Sequence, residues 1–222
     1  MLERSTLQFL TQLKKNNNKP WFDDHREAYS SAKADFESFV QKLIEATGSF
    51  DGDIKELKPR DCIFRINRDI RFSKDKSPYK INMGVSLNRG GKKSIFAGYY
   101  FHLQPGGESF AGGGLWMPQP NDLKKLRQEI DYCFPEFKKI IGSVSFRKHY
   151  PGLEMTESQM LVNVPKGYEK ENKAASFLKL KSFVALQPIP DKILISSHLV
   201  NVTAQAYKAL SPLIKFINRS LE

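Results

Sequence analysis

The stretch Met83–Met117, MGVSLNRGGKKSIFAGYYFHLQPGGESFAGGGLWM, decides the fold. Met83, Val85 and Leu87 alternate with Gly84, Ser86 and Asn88, the period of two expected of a half-buried strand. Arg89-Gly90-Gly91-Lys92 reads as a hairpin loop. Beyond it Ile95, Ala97, Tyr99, Phe101 and Leu103 share one face, and Phe96, Gly98, Tyr100 and His102 share the other. Pro105-Gly106-Gly107 turns the chain again, and Phe110–Met117 returns with Gly112, Gly113 and Gly114 in its middle. Loops this short join antiparallel neighbours, whereas a parallel crossover needs a dozen residues or more. The segment is therefore a meander. Its glycines fit no phosphate-loop or dinucleotide fingerprint, so they are expected to permit close packing. Trp21 and Trp116 are expected to be core or rim aromatics.

Helices flank the meander. Ser5–Lys15 carries Leu7, Leu10 and Leu13 at helical spacing with Phe9 beside them, and Ser5 is a candidate N-cap. Asn16, Asn17 and Asn18 stop this helix, and Pro20 opens a second that ends near Thr47-Gly48. After a polar loop, Cys62, Phe64, Ile66, Ile70 and Phe72 share one parity, while Arg65, Asn67, Asp69 and Arg71 share the other. That pattern predicts a basic strand in which Arg68 marks a bulge or the end of the buried stretch, followed by a turn at Ser77-Pro78. Downstream, helices are expected from Asn121 or Asp122 to Asp131, and from Phe134 to Ile141. Ser143–Pro190 reads as irregular or as short strands. A last helix begins near Ser197, with Pro212 expected to kink it. The expected architecture is one α+β domain over residues 1–222. It has a mainly antiparallel sheet, the meander plus one basic strand, with helices packed on one face.

Composition narrows the function classes. With 40% hydrophobic and 27% charged residues, the chain has the profile of a globular protein. Cys62 and Cys133 form no disulfide framework, which favours a reducing, cytoplasmic location. Glu3 and Arg4 interrupt any secretory leader, and no run reaches the ~20 apolar residues of a spanning helix, so no membrane role is expected. His25, His102, His149 and His198 show no ligand spacing, and neither a metal nor a cofactor is expected.

Charge is the strongest functional signal. Arg60–Lys93 carries ten Lys and Arg against three acids, +7 of the chain's net +11. Guanidinium forks and compact ammonium charges suit phosphate and carboxylate oxygens. The candidate anion-binding set is Arg65, Arg68, Arg71, Lys76, Tyr79 and Lys80, with Arg65 and Arg71 on the same face of the basic strand. The anion would be a phosphate-bearing small molecule or a nucleic-acid backbone. A rival reading makes the segment part of an enzyme acting on a phosphorylated or carboxylated substrate, with His102 and Asp69 as acid–base groups. A third makes the arginines a structural ion-pair network in a domain that docks an acidic protein partner.

The run Phe64-Arg65-Ile66-Asn67-Arg68-Asp69-Ile70-Arg71-Phe72-Ser73-Lys74-Asp75-Lys76-Ser77-Pro78-Tyr79-Lys80 resembles the signature of domain of unknown function 2461, a family of conserved hypothetical proteins of bacteria and fungi. Asn17, Trp21 and Phe22 are similar to its N-terminal motif, and Gly112-Gly113-Gly114 with Trp116 to its glycine-rich strand. Pro165-Lys166-Gly167-Tyr168, and Leu178 with Lys181 and Phe183, resemble its C-terminal motifs. The resemblance covers nearly the whole chain. It implies one α+β domain and assigns no role to any residue.

Overall fold

Residues Met83–Asn88, Gly98–Leu103 and Phe110–Leu115 form strands β1, β2 and β3 of the expected meander in a computed structural model that describes residues 1–222. A fourth strand, β4 (Phe183–Pro188), pairs with β3, giving an antiparallel sheet in the order β1-β2-β3-β4. Across it, Val85 lies opposite Phe101 and Phe101 opposite Ala111, so this parity shares one face. Tyr99, Phe101 and Leu103 on that face are fully buried, while Tyr100 and His102 on the other are half-buried.

Ten helices accompany the sheet. The first group is α1 (Arg4–Lys15), α2 (Lys19–Asp24), α3 (Arg26–Gly48) and the single turn α4 (Pro59–Cys62). Between β3 and β4 come α5 (Pro120–Tyr132), α6 (Phe134–Gly142), α7 (Val144–His149) and α8 (Ala175–Leu178). After β4 come α9 (Asp191–Leu194) and α10 (Leu199–Leu221). The long helices α3 and α10 cover the apolar sheet face: Phe39 meets Phe101 at 4.9 Å and Tyr207 meets Tyr99 at 4.9 Å between ring centres. Gly113 makes the close approach of α10 possible. Its φ is +155°, and a Cβ there would stand 3.0 Å from Leu210 and 2.2 Å from the Gly98 carbonyl oxygen. The triplet thus serves packing, as its place in a strand implies. The core is one contiguous cluster of 48 buried residues.

Several local expectations need correction. Ser5 does not cap α1. The helix begins at Arg4, and Asp35 of α3 takes over the capping role, accepting from the Glu3 amide at 2.9 Å and the Thr6 hydroxyl at 2.6 Å. The second helix is two helices. Asn18 caps α2 by accepting from the Trp21 amide, and His25 (φ −113°, ψ 25°) interrupts the path before α3. Asn121 and Asp122 lie inside α5, whose N-cap is Gln119. Strand β2 starts at Gly98, because the side chain of Asn218 in α10 bonds both backbone groups of Ala97 and Ile95 stays in solvent.

The largest correction concerns the basic strand, which is absent. The chain touches the sheet at one bridge, Ile63 to Val85, and then folds on itself through a bridge between Asn67 and Tyr79. The Arg68 amide bonds the Pro78 carbonyl, and the Lys80 amide bonds that of Ile66. The apolar parity misled because Phe72 at its far end is 96% exposed and buries nothing. No helix is long and apolar enough to cross a membrane.

Candidate functional site

Residues 64–82 form a projection anchored at its base by the N-terminal helices. The Asn17 side chain bonds both backbone groups of Tyr79, accepting from its amide at 3.1 Å and donating to its carbonyl at 2.9 Å. The Tyr79 ring is buried and stacks on Phe22 at 3.9 Å. Tyr79 is therefore an anchor, held through its backbone and its ring face.

Four of the other expected anion ligands are engaged inside the projection or against its aromatics. Arg68, with its side chain only 25% exposed, donates to Asp75, to the Ser77 carbonyl and to the Ser73 hydroxyl. The Ser77 hydroxyl and amide, and then Arg68, hold the Asp75 carboxyl down at about 2. Arg71 grips both oxygens of Asp69 at 3.0 and 2.7 Å. That pairing lowers Asp69 below the ordinary carboxylate range. Lys76 donates to the Ile70 carbonyl at 3.0 Å. Lys80 lies 5.5 Å from the centre of the Phe64 ring, and burial, then the nearby Arg65 charge, lower its pKa.

His102 and Asp69 do not meet. His102 sits on the open sheet face, stacked on Phe110 at 4.7 Å. Its Nε2 is 3.0 Å from Gln104 Oε1, and its Nδ1 is 3.2 Å from the Tyr100 hydroxyl and 3.5 Å from the Asn82 amide nitrogen. Gln104 Oε1 only accepts and the Asn82 amide only donates, so one tautomer satisfies the set: Nε2 carries the proton. Burial lowers the His102 pKa and raises that of Tyr100 to about 12. Gly84 leaves room for this hydroxyl, since a Cβ there would lie 2.6 Å from it.

Arg65 differs from its neighbours. It makes neither an ion pair nor a side-chain hydrogen bond, and it lines a cleft of about 540 Å³ between α3 and the segment leading into β1. Tyr29, Phe36, Ile63, Ile66 and Met83 supply the apolar surface of this cleft. Its cations are Lys33, Arg60, Arg65, Lys92 and Lys93, against a single acid, Glu37. Lys33 pairs with Glu37 at 3.6 Å, Lys92 donates to the Arg60 carbonyl at 2.9 Å, and Arg60 approaches Asp61 at 3.9 Å. Lys93, like Arg65, has no partner within the chain. A second cavity of about 550 Å³ carries Asp131, Glu169 and Glu171 against Lys173, the opposite charge balance.

Sequence reasoning placed Arg65 in a candidate site but missed its setting. Tyr29, Lys33 and Phe36 recur at helical spacing, a stripe in which one lysine stands among aromatics. That is the signal for a charged rim over an apolar floor, and nothing in the spacing ties it to Arg65. Trp116 proves 62% exposed and is no core residue, whereas Trp21 packs between Phe9 and His25.

Fold and cleft together define an α+β protein with a basic, apolar-floored depression beside a four-stranded antiparallel sheet. The chain belongs to the conserved hypothetical protein family DUF2461, whose profile matches residues 5–216. No curated protein and no solved structure matches it.

Proposed function

We propose that this chain is an anion-binding protein whose site is the cleft lined by Lys33, Arg60, Arg65, Lys92 and Lys93. Its ligand is a small organic anion with a phosphate or carboxylate head and an apolar body. The carrying observation is that Arg65 and Lys93 line this cleft without an ion-pair partner, its one acid Glu37 being paired with Lys33, over a floor of Tyr29, Phe36, Ile63, Ile66 and Met83. Cations crowded in one depression repel one another, and a bound anion relieves that repulsion. The floor adds a hydrophobic contribution for any ligand with an apolar body. The site thus keeps one of the sequence-derived ligands, Arg65, and replaces the rest of that set.

Thermal melts with phosphate, phenyl phosphate and sodium chloride at matched ionic strength test the proposal. A ligand that binds only the native state raises stability by mass action. Phosphate is expected to stabilise beyond the chloride control. Phenyl phosphate is expected to do so at lower concentration, binding by about 1 kcal/mol or more in its favour. Arg65→Met and Lys93→Met are expected to keep the unliganded stability within about 0.5 kcal/mol and to lose the phosphate response. Equal effects of all three salts would refute the reading.

A further inference from the structure

We propose that the tip of the 64–82 projection, Phe72 with Arg71 and Lys74, is a stacking site for single-stranded nucleic acid. This rests on observations separate from those of the cleft. Phe72 is the most exposed large hydrophobic side chain of the protein, at 96%. It is presented on a frame that is tied together on several sides. Arg68 ties the two arms through Asp75, Ser73 and Ser77, Lys76 holds the Ile70 carbonyl, and Asn67 bridges Tyr79. Below that, Tyr79 is stacked on Phe22 and clamped by Asn17. Arg68, which looked like a ligand, is on this view part of the scaffold that holds an aromatic ring in solvent.

The chemistry around the ring selects the partner. Arg71 lies 5.8 Å from the Phe72 ring centre and keeps 76% of its side chain exposed while paired with Asp69. Lys74 is exposed and has no carboxylate partner. Both acids of the tip, Asp69 and Asp75, are occupied by Arg71 and Arg68. A flat exposed ring beside cations matches an unpaired base beside its phosphates, the combination that sequence-tolerant single-strand binders use. A duplex hides its base faces, leaving only its phosphates to the cations. A membrane surface would ask for an apolar face broader than one ring flanked by Arg71, Ser73 and Lys74. An acidic peptide would satisfy the cations and leave the ring in water.

Fluorescence anisotropy at low salt decides the matter, using a labelled oligothymidylate, a labelled duplex, phosphatidylserine vesicles and polyglutamate. The single strand is expected to bind more tightly than the duplex. Phe72→Ala should weaken single-strand binding by about five- to a hundredfold and leave duplex binding unchanged, while Phe72→Trp retains it. Replacing Arg71 and Lys74 together by glutamine should flatten the log–log salt slope by about 0.7 for each phosphate they no longer neutralise. Arg65→Met should leave single-strand binding intact even if it abolishes the phosphate response of the cleft. Failure to bind the single strand, equal affinity for strand and duplex, or indifference to Phe72→Ala would overturn the proposal. So would Phe72-dependent binding to vesicles or polyglutamate in place of the oligonucleotide. Far-UV circular dichroism of Phe72→Ala checks that the variant is folded, which is expected because the ring contributes no burial.

Discussion

Arg68 and Arg71 carry the same headgroup in opposite surroundings, and their variants should diverge. Arg68 is three-quarters covered among three acceptors, so Arg68→Met removes the donor to the part-buried Ser77 carbonyl and Ser73 hydroxyl, along with its pairing to the exposed Asp75 carboxylate. Ordinary net hydrogen-bond contributions make the expected loss about 1–2 kcal/mol. Arg71 pairs with Asp69 in solvent, where such pairs contribute roughly 0–1 kcal/mol, so Arg71→Met should be nearly neutral. Urea unfolding of the two variants checks this, and equal losses would mean that both arginines belong to one structural network. His102 gives a pH signature. Its folded pKa is lowered by burial, so the unfolded chain takes up the proton first. The stability it contributes is present above its ordinary pKa of about 6.5 and is lost as pH falls through the folded value. In His102→Gln that acid-side slope should flatten. Cys62 acts at the other end of the scale, because burial pushes its thiol up to about 11. The unfolded thiol ionises first, so stability should decline as pH rises from about 8.5 toward 11. Cys62→Ala would remove that decline, although the cavity it leaves lowers stability at every pH.

At the scale of elements, the projection depends on its anchor more than on its own charges. Asn17→Ala removes two hydrogen bonds to the Tyr79 backbone and is expected to cost about 1–3 kcal/mol. Hydrogen exchange should show the loosening concentrated in residues 64–82, and uniform loss of protection would instead make Asn17 a general core element. The same elements explain what the sequence could reveal. Strands β1, β2 and β3 were legible because alternation, a hydrophobic side and glycine turns all agreed, and α1 and α10 were legible from unbroken helical stripes. Strand β4 was not. Phe183, Val184 and Ala185 are buried consecutively, so the strand shows no alternation over its first half. The break at His25 was hidden because Trp21, Phe22 and Tyr29 keep a helical spacing across it. The basic strand was misread for a complementary reason. Alternation of charge and apolar residues predicts a strand only if the apolar side has something to cover it, and Phe72 has nothing. Of the candidate site, the concentration of charge was legible. Which cations remain free was not, since that depends on Asp69 and Asp75 closing locally and on α3 arriving from elsewhere in the chain.

For the whole molecule, the arrangement of the core bears on how it unfolds. The cluster of 48 buried residues runs from Leu2 to Leu221, and the chain ends are tied to distant partners: the Leu2 amide to the Leu194 carbonyl, and Arg89 to Glu222. Helix α10 packs on β3, α3, α5, α6 and α7, so each group of helices meets the others through it. If these layers form one cooperative unit, damage in α10 must reach the N-terminal helices. The two tryptophans make the test clean. Trp116 is largely solvated already, so the fluorescence change on unfolding should come chiefly from Trp21, packed between Phe9 and His25. Leu210 in α10 is fully buried and faces Gly113. Leu210→Ala is expected to cost about 2–5 kcal/mol through lost burial and an incompletely filled cavity. The midpoint of Trp21 fluorescence and the midpoint of far-UV circular dichroism should then fall together, as two-state unfolding requires. A Trp21 midpoint that stayed put while the helical signal shifted would show that α1 and α2 unfold separately from the sheet and α10. In that case the projection anchored on Phe22 and Asn17 would ride on an independently stable unit.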